Sequence, residues 1–172
     1  MKTHAKLIFL GTAASIPTGT RDNTSLLFLF SPSTSVLIDC PGSIVQKLFR
    51  AGIDYRAIQT IVITHEHPDH LYGLPSLLHC QGMNGIRHVT IHTNIAAQKA
   101  CARILQAFSF HKRRRFPRIF FKDVHAKTVF YRSAFLRMAA IPNKHIRHSF
   151  GIKIILQERG TSLLYSSDTA PS

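Results

Sequence analysis

The sequence predicts a mixed α/β fold in which helices cover the outer faces of a mixed β-sheet. Strand patterns alternate with helix patterns early in the chain, whereas β patterns follow one another closely late in the chain. Hydrophobic residues make up 45% of the 172 residues, and twelve residues are Phe. This composition is typical of a globular protein of one-domain size, so we expect residues 1–172 to form a single domain.

Short apolar runs bounded by Gly, Pro, Asn and Ser predict the strands. The expected strands are residues 6–10, 25–30, 35–39, 60–63, 88–92, 119–122, 128–131, 135–141, 151–157 and 162–165. The second and third strands are joined by "SPST", which is typical of a hairpin.

Apolar residues at helical spacing predict three helices. The first begins at Ser43 and has Val45, Leu48 and Phe49 on one face, and the second covers residues 74–83. The third follows Asn94, a good N-cap residue, and we interpret its apolar face as a core-packing face. That face consists of Ala97, Ala100, Cys101, Ile104, Leu105 and Phe108.

The charge is strongly basic, with 22 Lys and Arg against eight Asp and Glu, a formal net charge of +14. One interpretation is a polyanionic partner, most plausibly nucleic acid, and the other is a basic chain that its charge keeps soluble. No apolar run approaches the length that crosses a bilayer, so no membrane partner is expected. Three widely spaced Cys without a CxxC pair favour reduced thiols and a cytoplasmic location.

A turn rich in metal-ligand residues follows the apolar strand at residues 60–63. It reads His-Glu-His-Pro-Asp-His over residues 65–70. A turn at a strand end can aim alternate side chains at one point, so His65 and His67 can share one metal ion while Asp69 and His70 face a second position. Imidazole and carboxylate groups both suit Zn²⁺. The other His residues are interpreted as core or surface groups, apart from two near the end of the chain.

"THEHPDH" at residues 64–70 resembles the signature of the metallo-β-lactamase superfamily. Together with "LIFLGTAASIPTGTRDNTS" (7–25), "LIDCPGSIVQKLFRAGI" (37–53) and "ITHEHPDHLYGLPSLL" (63–78), it resembles ribonuclease Z, an endonuclease that processes tRNA 3′ ends. The resemblance implies an αββα sandwich with a site for two zinc ions, or manganese ions, at one sheet edge. The implied activity is metal-dependent hydrolysis of phosphodiester bonds, with RNA as the partner.

The resemblance also implies the ligands. His65 and His67 would bind the first zinc ion, Asp69 and His70 the second, and Asp168 in "LLYSSDT" would bridge both. Asp69 would in addition handle protons during catalysis.

The third ligand of the first zinc ion is either His145 or His148. In the family this His lies six residues before a glycine that starts a strand, which favours His145 because Gly151 is six residues further on. His148 stays as the alternative.

Three features depart from the family. The sequence ends four residues after Asp168, so we expect the fold to lack the closing part of its second half and the second zinc ion to lack a ligand. The apolar sheet face left uncovered would favour association, such as homodimer formation. The family's "DCGEG" is "DCPGS" at residues 39–43, and residues 146–167 are too few to include the tRNA-binding arm.

A basic run at residues 111–115, "HKRRR", is the densest positive segment. We expect Arg113 and Arg114 to contact substrate phosphates, together with Arg21 in the loop that borders the family's active site. The alternative is a solvated loop.

Three functions are therefore open. The first is a zinc-dependent endoribonuclease of ribonuclease Z type. The second is a phosphodiesterase of the same fold acting on small phosphodiesters, including cyclic nucleotides, and the third is a catalytically incomplete fragment that binds metal and RNA.

Overall fold

Two stacked β-sheets with helices on one side form the architecture. The structure, a computed structural model, describes residues 5–31, 34–112, 114–157 and 160–170. Its first sheet has six strands in the order β1-β2-β3-β4-β5-β6. These strands are β1 Lys6–Gly11, β2 Ser25–Ser31, β3 Thr34–Ile38, β4 Thr60–Ile63, β5 His88–Thr93 and β6 Arg118–Asp123. The hairpin of β2 and β3 is antiparallel as predicted, and the middle of its turn lies outside the described residues.

The second sheet is an antiparallel meander of the four late strands, in the order β10-β9-β8-β7. Its strands are β7 Val129–Arg132, β8 Leu136–Pro142, β9 Phe150–Leu156 and β10 Ser162–Tyr165. The helices are α1 Ile44–Arg50, α2 Pro68–Leu71, α3 Leu74–Met83 and α4 Ile95–Ala107, with short 3₁₀ turns at Tyr55–Ala57 and Phe110–Lys112. The mixed α/β prediction is confirmed, and every predicted strand is present to within about two residues at each end, a margin ordinary for element boundaries.

Strand alternation divides the interior into two cores. In β4, Ile61 and Ile63 face the helices, while Val62 faces the second sheet. The helix-side core contains Leu48, Leu77 and Leu105, and the core between the sheets is formed by side chains such as Phe28 and Phe150. Among the described residues the helices bury their apolar faces on the first sheet only, which gives an αββ arrangement in which Leu164 on the far side of the second sheet is 68% exposed.

Two helical faces differ from the sequence prediction. In α1, Ile44 and Leu48 are buried while Phe49 is 60% exposed and packs edge-on against Tyr55. Phe108 lies just beyond the last turn of α4 and is 58% exposed. Each predicted apolar face included one residue that is exposed in the structure, because helical spacing does not show where a helix ends or which side of it meets the sheet. None of the described helices is both long and apolar enough to cross a membrane.

Strand direction determines where the loops meet. Strands β3, β4, β5 and β6 are parallel to one another, so their carboxyl ends lie along one edge of the first sheet. We call this edge the carboxyl edge. The loop after β1 returns to β2 at the same edge, because Gly11 pairs with Ser25. The segments after β3 and β4, which carry Asp39 and the His-rich turn, therefore meet there.

His92 is a buried histidine between the two sheets, next to the rings of Phe130 and Tyr131. Its Nδ1 has no hydrogen-bond partner among the described residues. Burial, with repulsion from Lys122, lowers the pKa of His92 to about 4 from an ordinary value of 6.5. The folded protein therefore holds this ring neutral over a pH range in which the unfolded chain protonates it.

We predict that His92 makes the metal-free protein acid-sensitive. The pKa of His92 is lower in the folded protein than in the unfolded chain, so its contribution to the free energy of unfolding is complete above pH 6.5. This contribution is lost as the pH falls from 6.5 towards 4, and the loss is ~2–3 kcal/mol at pH 4.5. Urea unfolding in a chelator at pH 7.5 and 4.5 measures this. His92→Gln should lose less stability on acidification than the wild type by that amount.

His88→Gln is the matched control, since His88 lies in the same strand but is exposed. The prediction is wrong if His92→Gln and the wild type lose the same free energy of unfolding between the two pH values.

Candidate metal centre

Imidazole and carboxylate groups from three segments of the chain converge at the carboxyl edge. The turn after β4 supplies His65, His67, Asp69 and His70, the loop after β8 supplies His145, and the segment after β10 supplies Asp168. Their ligand atoms form two groups, and within each group these atoms lie within 4.8 Å of one another. Side chains separated by 103 residues in the sequence, such as His65 and Asp168, are thereby brought together.

The first group consists of His65, His67, His145 and Asp168. Nε2 of His65 and Nε2 of His145 each lie 3.1 Å from Nδ1 of His67. The carboxylate oxygen Oδ2 of Asp168 lies 3.9 Å from His65 Nε2 and 3.7 Å from His145 Nε2. Three ring nitrogens and one carboxylate oxygen thus surround a single point.

The second group consists of Asp69, His70 and Asp168. Nε2 of His70 lies 3.4 Å from Oδ2 of Asp69 and 3.6 Å from Oδ1 of Asp168. Asp168 therefore directs one oxygen at each group, which is the arrangement of a bridging carboxylate. Among the described residues this group has three members and the first has four.

The donor set fits a divalent cation. With Zn–N distances near 2.0–2.1 Å, ligand atoms of a tetrahedral zinc site are about 3.3 Å apart, and the nitrogen contacts of the first group are close to that value. Three imidazoles with a carboxylate suit a borderline cation such as Zn²⁺ better than Mg²⁺ or Ca²⁺, which prefer all-oxygen sites.

The local sequence explains how one turn presents four ligands. His67 is the extended N-cap residue of α2, and Pro68 at the first helical position has the φ that a helix start requires. Asp69 and His70 follow in the only turn of this helix, so they point to a different position from His65 and His67. His65 is fully buried and His70 is 2% exposed, so both imidazoles are held by packing.

Asp39 is the residue that orients the second group. Its carboxylate is completely buried at the end of β3 and lies 2.9 Å from Nδ1 of His70. It also accepts hydrogen bonds from the backbone N–H and hydroxyl of Thr64 and from the hydroxyl of Tyr165. The contact with Asp39 keeps a proton of His70 on Nδ1, so a metal ion would bind this ring through Nε2.

Thr64 orients the first group in the same way. Its hydroxyl proton is donated to Asp39, so its oxygen accepts from Ser167, 2.9 Å away, and from Nδ1 of His65, 3.2 Å away. Because Nδ1 of His65 is then the protonated nitrogen, the lone pair of Nε2 points into the first group. A network of hydroxyl and carboxylate groups therefore supports both groups from beneath.

The pKa values of the two buried histidines are shifted in opposite directions. Burial, with repulsion from His70, lowers the pKa of His65 to about 4, so His65 is neutral and ready to bind a cation at neutral pH. Burial also opposes the charged form of His70, but Asp39, Asp69 and Asp168 outweigh it and raise the pKa of His70 to about 9. Metal binding at the second group must therefore displace a proton from His70.

His145 belongs to the cluster, and the side chain of His148 does not. The loop that carries both is anchored at Asn143, whose amide donates to the backbone carbonyls of Asp168 and Ser166. His148 has a left-handed backbone with φ 70° and its carbonyl accepts from Asn94. These contacts turn His148 away while His145 faces His67, which supports the choice that the family spacing favours.

The structure separates the three predicted substrate-binding arginines. Arg21 is exposed on the loop after β1, at the carboxyl edge. Arg114 precedes β6 and lies at the opposite edge of the first sheet, because β6 runs parallel to β4. Arg113 lies outside the described residues. A small substrate at the His cluster therefore does not reach Arg114.

Three residues of the site were not predicted from the sequence: Asp39, Thr64 and Tyr165. For Asp39 a signal exists, since an acid that ends a buried strand needs partners, and β3 neighbours β4. For Tyr165 no local signal exists, because it lies 126 residues from Asp39.

The two sheets, the helices and the ligand turn at a sheet edge define a metallo-β-lactamase-fold protein, as the resemblance implied. The chain belongs to the family described as anti-Pycsar protein Apyc1, whose model matches residues 5–172. Its fold is similar to that of human tRNase Z, short form, with a TM-score of 0.76, 20% identity, and coverage of 94% of this chain and 68% of the human chain. It is also similar to Zn²⁺-bound PqqB from Methylobacterium extorquens, with a TM-score of 0.73, 14% identity, and coverage of 96% and 66%.

The ribonuclease Z likeness is confirmed in part of the sequence. Ribonuclease Z of Prochlorococcus marinus subsp. pastoris is 41% identical over 80 residues, which are 46% of this chain and 26% of that protein. This chain therefore spans about a quarter of the length of that relative.

We predict that Asp39→Asn weakens Zn²⁺ binding by about 10–100-fold, the usual effect of losing a carboxylate that orients a metal-binding His. The Asn side chain keeps the shape but not the charge that holds the proton on Nδ1 of His70. Chelator competition gives the dissociation constant, and circular dichroism checks folding. Tyr165→Phe removes one hydrogen bond from the same carboxylate and should have a smaller effect; equal affinities for Asp39→Asn and wild type would contradict the role of Asp39.

Alanine variants of His145 and His148 test which of the two histidines is a metal ligand. We expect His145→Ala to reduce Zn²⁺ affinity at least tenfold because it removes a ligand of the first group, whereas His148→Ala should leave the affinity unchanged. Isothermal titration with Zn²⁺ measures both. The reverse order of effects would assign the ligand to His148.

Proposed function

We propose that this protein is a metal-dependent phosphodiesterase. The observation that carries the proposal is Asp168, whose two carboxylate oxygens face two separate groups of ligand side chains. Two cations a few ångströms apart are a recurring device for phosphoryl chemistry, because both the attacking and the leaving oxygen need charge stabilisation. Zn²⁺ is the cation that the imidazole-rich first group favours, with Mn²⁺ as the alternative.

The bound ions would supply activation of water and neutralisation of charge at the phosphoryl oxygens. His65, His67 and His145 would hold the first ion, and Asp69 with His70 would hold the second. The carboxylate of Asp69, 3.4 Å from Nε2 of His70, is the group that we assign to accept a proton from the attacking water. Arg21, exposed at the same edge, would bind the non-reacting oxygens of the phosphate.

Small phosphodiesters, including cyclic nucleotides, are the substrate class that the described residues support best. The described residues between His145 and Asp168 form β9, β10 and their connections, and they form no arm that could hold a tRNA. Arg114 and Arg115 precede β6 at the other edge of the sheet and do not border the His cluster. The family, whose description names an anti-Pycsar protein rather than a tRNA-processing enzyme, matches nearly the whole chain.

RNA is the second candidate substrate. It is favoured by the local identity to ribonuclease Z, which covers about half of this chain. The net charge of +14 agrees with a polyanionic substrate but does not distinguish RNA from a small anion.

We predict that the Zn²⁺- or Mn²⁺-loaded protein hydrolyses bis(p-nitrophenyl) phosphate and that a chelator abolishes this activity. Asp69→Asn should lower kcat by about 10²–10⁴-fold, because it removes both a ligand and the proton acceptor. Asp123→Asn is the control, since Asp123 is exposed at the end of β6 and lies outside both ligand groups.

A parallel assay with a cyclic nucleotide and with a tRNA precursor carrying a 3′ trailer separates the substrate classes. Hydrolysis of the small esters without cleavage of the precursor supports the small-phosphodiester proposal, and cleavage of the precursor alone supports RNA. Absence of hydrolysis of every substrate by the metal-loaded protein, or activity that a chelator leaves unchanged, would reject the phosphodiesterase proposal.

A further inference from the structure

A positively charged surface lies at the edge of the first sheet that is opposite the metal centre. Five exposed cations gather there from the segment before β5, the turn after α4 and the start of β6: Arg87, Lys112, Arg114, Arg115 and Arg118. We call this surface the basic groove. Arg87 and Arg118 are held next to each other by the backbone, since the N–H of Arg118 donates to the carbonyl of Arg87.

The groove is concave and has an apolar floor. Its cations surround a cavity of about 900 Å³, the floor of which includes Leu105, Ile119 and Phe121. Phe110 and Phe116 stack with ring centroids 3.9 Å apart and brace the wall. Lys112, Arg114 and Arg115 therefore line a concave surface rather than a featureless loop.

The cations of the groove have no acidic partners among the described residues. Asp39, Asp69 and Asp168 are in the metal centre. The remaining acidic groups that form ion pairs in the described part of the chain contact Lys47, Arg56 and His125, all outside the groove. Five like charges around one cavity repel one another, and a bound polyanion would relieve this repulsion while releasing its own counterions.

The distance from the metal centre rules out a shared small ligand. Strand β6 has six residues, so at about 3.3 Å per residue Arg118 at the rim of the groove lies roughly 17 Å from the carboxyl end of the strand. A mononucleotide at one site cannot touch the other, whereas an extended strand of nucleotides can lie along the groove independently of the metal centre.

We propose that the basic groove binds single-stranded nucleic acid as a site separate from the metal centre. The cations at the rim contact successive phosphates, and the apolar floor accepts bases, which is the combination that unspecific single-strand binding uses. Arg is suited to this role because its guanidinium group bonds phosphate oxygens in pairs. The proposal does not depend on hydrolysis and applies to the protein with or without metal.

Fluorescence anisotropy with a labelled 12-nucleotide oligothymidylate tests the proposal, in a chelator and again with Zn²⁺. We expect a dissociation constant of about 1–100 µM at physiological salt, and a weakening of about tenfold in the double variant Arg114→Gln with Arg115→Gln. The slope of log affinity against log salt should fall by about 1.4, the value for two lost phosphate contacts to a single strand.

The matched control is Lys99→Gln with Arg103→Gln, which removes the same charge from exposed positions of α4 outside the groove. The control should bind like the wild type, and circular dichroism should show both double variants folded. Arg114→Lys with Arg115→Lys keeps the charge and should retain most of the affinity, which identifies the loss in the Gln double variant as one of positive charge rather than of folding.

Three results would overturn the proposal that the basic groove binds single-stranded nucleic acid. They are no binding by the wild type, equal weakening by the two Gln double variants, and displacement of the oligonucleotide by UTP as effectively as by unlabelled oligonucleotide. The last result would indicate a small-anion pocket. Oligonucleotide binding without hydrolysis of any ester counts against the phosphodiesterase alone. Hydrolysis of the small ester without oligonucleotide binding counts only against the proposed nucleic-acid binding by the basic groove.

Discussion

The buried carboxylate of Asp39 is the interaction on which the rest of the site depends. A charged carboxylate inside a protein is costly unless it is fully hydrogen-bonded, and Asp39 has partners from both sheets: Thr64 and His70 on the first, and Tyr165 on the second. These partners tie the ends of β3, β4 and β10 to one point. The same contacts select the nitrogen that each buried histidine offers, so the fold and the ligand geometry are held by one network.

Local sequence predicted the elements well and their faces less well. The strands could be predicted because apolar runs between turn residues are short-range signals, and the His-rich turn follows directly from one of them. The exposure of Phe49 depends on which side of α1 meets the sheet, a long-range property that helical spacing does not contain. Arg114 was expected at the substrate, but the parallel order of β4, β5 and β6 places it at the opposite edge of the sheet. That order is a long-range property that the local sequence does not contain.

The candidate ligands show the same division between local and long-range information. His65, His67, Asp69 and His70 lie within six residues, and their pattern alone indicates a metal site. The choice of His145 needed the spacing of a known family, and its place beside His67 depends on the stacking of the two sheets. The sequence shows that Asp39 ends an apolar strand and needs partners, but it does not show that these partners are Thr64, His70 and Tyr165. The basic groove and the metal centre lie at opposite edges of the first sheet, which the order of residues in the sequence does not show.

The most direct test of this account is anomalous X-ray diffraction at the zinc edge from crystals soaked in Zn²⁺. We expect one anomalous peak among the ring nitrogens of His65, His67 and His145 and a second beside His70, with the Asp168 side chain between the peaks. Zinc peaks elsewhere on the surface, with the imidazoles of the turn pointing away from one another, would contradict it.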